Sequence, residues 1–122
     1  MKTDIKFLPL FLLIFSAAFC RGQNLSGRYE FGNSILNIVV SSDSLKGEHC
    51  FVSSNGNRID CCLEETSLFL SKTSENSYKG ILKSCYRDTI HSIEINTIDK
   101  ELKLIFINDD HEFLEREVKF SR

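Results

Sequence analysis

The chain has no tryptophan and a single proline, Pro9. No window longer than about ten residues carries an apolar repeat of 3.6, which argues against a helical bundle. There is no Cys-x-x-Cys pair of the kind a thiol oxidoreductase places at a helix start. Basic residues interleaved with aromatics are missing too, which removes nucleic acid from the expected partners. His49, His91 and His111 stand on separate segments with no Ser or Cys elbow beside them, so each reads as a strand or loop histidine satisfied by a neighbour. The acidic pairs Glu64-Glu65 and Asp109-Asp110 fall in turn-like stretches and read as solubilising loops rather than as an acid and base pair. No catalytic residue, cofactor site or metal site is expected, and the chain reads as a non-enzyme.

The one long apolar run spans residues 7–19, after Lys2 and Lys6, with the small residues Ser16, Ala17 and Ala18 at its end and Gly22 just beyond it. It is short of the roughly 20 residues a membrane span needs and has the layout of a cleaved secretory signal. Cleavage after Ala18 leaves five cysteines, whereas cleavage after Gly22 leaves Cys50, Cys61, Cys62 and Cys85, an even set suited to disulfides. The domain reading is a signal peptide over 1–22 and one domain over 23–122, secreted or periplasmic. Lipid anchoring through Cys20 is the weaker alternative, because Phe19 sits where such signals need a small residue. Removing residues 1–22 takes Lys2, Lys6, Arg21 and Asp4 from 15 basic and 17 acidic residues, leaving 12 and 16 and a formal charge of −4.

From Leu25 onward the pattern has period two. Strands are predicted at 25–31, 34–41, 45–53, 58–64, 67–72, 78–86, 89–98, 101–108 and 112–120, separated by turns such as Gly32-Asn33, Asn55-Gly56 and Asp99-Lys100. Eight or nine short strands at even spacing imply an all-β antiparallel meander, closed as a small barrel or stacked as a β-sandwich. Leu102, Leu104 and Phe106 alternate with Lys103, Ile105 and Ile107, so that strand ends apolar on both faces, as expected of a covered strand or of a partner-facing patch.

Three cysteines lie on the hairpin around Asn55-Gly56, and two registers are open. If opposed residue numbers sum to 111, Cys50 faces Cys61 and Val52 faces Ile59; if they sum to 112, Cys50 faces Cys62 and Phe51 faces Cys61. A slip of one residue exchanges core and solvent for the whole strand. Turning Ile59, Cys61 and Leu63 inward, and Asp60, Cys62 and Glu64 outward, favours 112. It pairs Cys50 with Cys62 outside and leaves Cys61 for Cys85. In a strict meander the strand 67–72 would hold those last two about 9.5 Å apart, beyond the roughly 7 Å a disulfide spans, so that strand must be short or absent beside Cys85, or both thiols stay free. His49, Cys50, Cys61 and Cys62 look like a zinc set, but adjacent strand positions point to opposite faces and all four cannot converge.

The stretch Asn24-Leu25-Ser26-Gly27-Arg28-Tyr29 resembles the entry strand of calycin barrels, the lipocalin and avidin group, and Leu36-x-Ile38 and Gly47-x-His49 resemble the spacing of the following strands. Tyr29 stands where that group has Trp. In lipocalins the Trp packs beneath a basic residue from the last strand; the resemblance implies a closed barrel and makes Arg116 the partner of Tyr29, worth about 0.5–2 kcal/mol as a cation over a ring. The cysteine hairpin also resembles those of small exported bacterial proteins.

The functional expectation is an exported binding protein. A periplasmic inhibitor or immunity-type protein would present Asp109, Asp110, His111 and Glu112 to a basic enzyme or toxin. The alternative is a lipocalin-like carrier of a small hydrophobic ligand, which about 100 residues of barrel would have to hold among its own side chains.

Overall fold

A computed structural model describes residues 25–53, 55–108, 111 and 113–122. The signal-peptide reading, Asp109, Asp110 and Glu112 lie outside the described residues. Nine strands run in chain order: β1 (Gly27–Phe31), β2 (Ser34–Ser41), β3 (Ser44–Val52), β4 (Ile59–Cys62), β5 (Leu68–Ser74), β6 (Ser77–Lys83), β7 (Ile90–Ile98), β8 (Glu101–Phe106) and β9 (Glu117–Ser121). All pairings are antiparallel, in the order β2-β1-β9-β8-β7-β6-β5-β3-β4, and a β2–β3 ladder closes eight of the strands into a barrel. There is no helix among the described residues.

In three of the hairpins that turn on two residues, the first turn residue has positive φ: Gly32 at 57°, Ser42 at 55° and Asp99 at 52°. Such turns match the twist of the flanking strands. Alternation along the strands sends Leu36, Ile38, Leu45, Phe51, Leu68, Leu82, Ile93, Ile95, Leu102, Leu104 and Phe120 into one core. The bulkiest fully buried side chains, Tyr29, Tyr78, Phe51, Phe106 and Phe120, occupy the interior themselves. Phe106 closes the inward row of β8, whereas Ile107 is exposed.

Two places depart from a regular barrel. The first is the β3 edge: its early half pairs with β5 (Gly47 opposite Leu68) and its late half with β4 (Cys50 opposite Cys61), so β5 is absent beside β4. The second is the β1–β9 seam, where the only ladder pair is Glu30 opposite Ser121. Tyr29 packs near that seam. Its ring lies 5.0 Å beneath the guanidinium of Arg122, which also donates to the Tyr29 hydroxyl at 2.9 Å, while that hydroxyl donates to the Leu25 carbonyl at 2.8 Å. The expected partner Arg116 is exposed before β9 begins. The cause is register: extending the Glu30–Ser121 pairing by one step sets residue 122, not 116, across from Tyr29.

Strands approach closely at Gly80, where a Cβ would lie 1.9 Å from the Phe69 carbonyl oxygen of β5. Backbone on a neighbouring strand cannot yield as a flexible side chain can. Gly80→Ala is expected to cost at least about 1–3 kcal/mol in urea denaturation, the usual range for overpacking. A change under about 0.5 kcal/mol, typical of a harmless surface substitution, would contradict this approach of β5 and β6.

Candidate functional site

The hairpin register is 111. Cys50 faces Cys61, Phe51 faces Asp60 and Val52 faces Ile59. The Ser53 amide donates to the Arg58 carbonyl, so the hydrogen-bonded pairs are 51/60 and 49/62. Cys50 and Cys61 are then a non-hydrogen-bonded pair, whose side chains approach most closely, and they are bridged; the second bridge joins Cys62 to Cys85, with Cα atoms 5.7 Å apart. The expected pairs Cys50–Cys62 and Cys61–Cys85 are corrected. Ile59 is 54 % exposed and Leu63 47 %, while Asp60 is fully buried and Cys62 nearly so. Hydrophobicity ordered that strand backwards because Asp60 has partners inside that its sequence neighbours do not announce.

Those partners come from three directions. Asp60 Oδ1 accepts from the Cys85 amide at 2.7 Å and the Tyr86 amide at 3.2 Å. Oδ2 receives the Nε2 proton of His111 at 2.7 Å. His111 Nδ1 accepts from the Phe113 amide at 3.1 Å, a pattern that assigns the ring proton to Nε2. His49 Nε2 lies 3.1 Å from Asp60 Oδ1, too poorly aligned to count as a hydrogen bond, and its Nδ1 lies 2.6 Å from Ser67 Oγ. Burial by itself pushes the Asp60 carboxyl up, but hydrogen bonding from His111, the nearness of His49 and the Cys85 amide outweigh it and hold the group well below its ordinary 3.8. His91 stacks 5.4 Å from His111, so all three histidines read as separate in the sequence meet in one place.

The chain Ser67, His49, Asp60 has the composition of a hydrolase triad, but all three side chains are sealed from solvent and Ser67 sits on no elbow. The arrangement cross-links instead. β4 has no ladder to the chain after β6, and the carboxylate plus the Cys62–Cys85 bridge join the two across that gap. Phe113, Tyr86 and Arg58 cover it: Tyr86 and Phe113 rings meet edge-on at 4.8 Å and Arg58 lies 5.3 Å over Phe113. His111, expected at a partner surface, is buried in this cluster.

The β1–β9 seam is different: beyond the Glu30–Ser121 pair and the Arg122 contacts to Tyr29 at one end, no ladder continues along it among the described residues. The Phe106 amide donates to the Arg116 carbonyl, so 104/118 and 102/120 are the pairs bonded to β8. Glu117 and Lys119 therefore direct their backbone N–H and C=O groups away from β8 and toward β1. β1 has already turned: the residue across from Lys119 would be Gly32. Beside this unpaired edge lies a slot of about 480 Å³ lined by Phe31, Phe113, Leu114, Glu115, Glu117, Val118 and Lys119. Phe31, 49 % exposed, forms one wall and leans on Phe120 with ring centres 6.0 Å apart. Comparison with family profiles, with curated proteins and with solved structures finds no match for the chain.

Removing one partner from a buried charge typically costs about 3–5 kcal/mol. His111→Ala is expected to lose stability on that scale in urea denaturation. Because the Asp60 carboxyl is depressed in the fold, its contribution is complete above 3.8 and drains away as pH falls below that value. Asp60→Asn, which accepts on one side only, should be less stable at pH 7 and show a flatter acid limb than the parent. Parallel acid limbs would contradict the assignment.

Proposed function

We propose that the protein is an exported, calycin-like, non-enzymatic binding protein of the inhibitor or immunity type, which holds an extended segment of another protein along the open edge of β9. The carrying observation is the slot itself: two residues' worth of backbone donors and acceptors with no ladder partner among the described residues, next to exposed aromatic surface. An added strand satisfies such an edge through main-chain bonds and seats alternate side chains in the adjoining pocket. The sequence leading into and along β9 is acidic, with Asp109, Asp110, Glu112, Glu115 and Glu117 against Arg116 and Lys119. That balance fits a partner segment carrying both basic and apolar residues, as a basic enzyme or toxin offers. A carrier of small hydrophobic ligands is the weaker reading, since large aromatic side chains already occupy the interior. Two disulfides, one within the β3–β4 hairpin and one tying it to the segment after β6, suit an oxidising compartment and support export.

Selection from a displayed library of unstructured peptides tests the reading. Enriched sequences should alternate apolar and basic residues. Binding should fall at least about tenfold, or about 1.4 kcal/mol, in Lys119→Pro, which removes an edge donor, and in Phe31→Asp, with the parent circular dichroism kept. If enriched peptides bind these variants as tightly as the parent, or if only a lipid copurifies and occupies the barrel, the reading fails.

A further inference from the structure

We propose that reduction of the Cys62–Cys85 bridge turns the buried cluster around Asp60 into a site for a divalent cation of the zinc class. A ring nitrogen of His49, a carboxylate oxygen of Asp60 and Sγ of Cys62 all lie within 4.8 Å of one another, and all three residues are buried. Zinc bond lengths of about 2.0–2.3 Å set tetrahedral ligand atoms about 3.3–3.8 Å apart. A contraction of about an ångström would complete the set. Nitrogen, carboxylate oxygen and thiolate together are the donors that select zinc or cobalt over magnesium or calcium.

The surroundings are those of a prepared ligand shell. His49 Nε2 is buried without a hydrogen-bond partner, while Nδ1 stands 2.6 Å from Ser67 Oγ. A cation bound there would be met by the Nε2 lone pair, with the ring proton on Nδ1 and donated to Ser67 Oγ. Metal-bound histidines ordinarily donate their other N–H in this way. Asp60 is oriented in turn by His111 and by the Cys85 and Tyr86 amides. Cys85, released by the same reduction, supplies a fourth donor whose Cα starts 5.7 Å from that of Cys62.

The chemistry balances. Two equivalents of a thiol reductant give up two electrons and two protons, becoming a disulfide, as the Cys62–Cys85 bond breaks into two thiols. Each thiol that then binds the cation releases its proton to water.

The test uses Co²⁺, whose thiolate charge-transfer absorption reports sulfur ligation, on the full chain oxidised or reduced with a phosphine. The reduced chain should bind one Co²⁺ with that absorption and the oxidised chain none. The band should survive Cys50→Ser/Cys61→Ser, which removes the neighbouring bridge, and disappear in Cys62→Ser/Cys85→Ser, which removes both sulfur donors. Ser67→Ala should weaken Co²⁺ binding about tenfold, the lower end for loss of a ligand's own support. Should the reduced chain lose its β-sheet circular dichroism, added Zn²⁺ is expected to restore it. No stoichiometric Co²⁺ in the reduced chain, a band that persists in Cys62→Ser/Cys85→Ser or is lost in a folded Cys50→Ser/Cys61→Ser chain, or an unfolded reduced chain that Zn²⁺ does not refold would each overturn the proposal.

Discussion

The buried carboxylate of Asp60 holds the barrel together where its wall divides. β3 gives half of one edge to β5 and the other half to β4, and an ordinary ladder cannot continue from β4 into the chain that follows β6. Two amides, Cys85 and Tyr86, therefore point at a gap, and amides left so would each cost about 1–3 kcal/mol. Oδ1 of Asp60 takes both, and Oδ2 takes the His111 proton from the loop before β9. One side chain thus ties three segments that are far apart in sequence, and the Cys62–Cys85 bridge fastens the same seam covalently. Withdrawing a charge from water is expensive, which is why the carboxylate survives here only with a full set of donors around it.

Much of the fold could be read in the chain because β-patterning is local. All nine strands and the main turns follow from period-two alternation and from residues that accept positive φ, such as Gly32 and Asp99. Closure into a barrel was implied by the resemblance of the entry strand and is present, whereas the basic residue over Tyr29 is Arg122 and not the expected Arg116. The hairpin register did not follow. It was argued from hydrophobicity, which turns Ile59 and Leu63 inward, whereas the fold exposes both to bury Asp60. Only the amides of Cys85 and Tyr86 and the ring of His111 make that burial favourable, and these lie 25 or more residues away. Histidines at 49, 91 and 111 likewise converge through topology, which spacing along the chain does not encode.

The two irregularities in the wall have opposite characters. At β4 the gap is closed by charge, hydrogen bonds and a disulfide, beneath a lid of Phe113, Tyr86 and Arg58. At β9 the gap stays open, with Glu117 and Lys119 offering backbone groups to a slot walled by Phe31 and Phe113. The loop that carries His111 into the first gap carries Phe113 and Leu114 to the second. Rigidity at the sealed seam therefore fixes the shape of the open one, which lowers the ordering cost of any segment that binds there.

Amide hydrogen exchange at Cys85 and Tyr86 tests the role of Asp60 most directly, because neither residue belongs to a strand ladder. If the carboxylate holds the seam, both amides exchange as slowly as the flanking strands β6 and β7 in the parent, and both lose that protection together in Asp60→Asn while β7 and β8 keep theirs. Fast, loop-like exchange of the two amides in the parent, or protection unchanged in Asp60→Asn, would contradict the account.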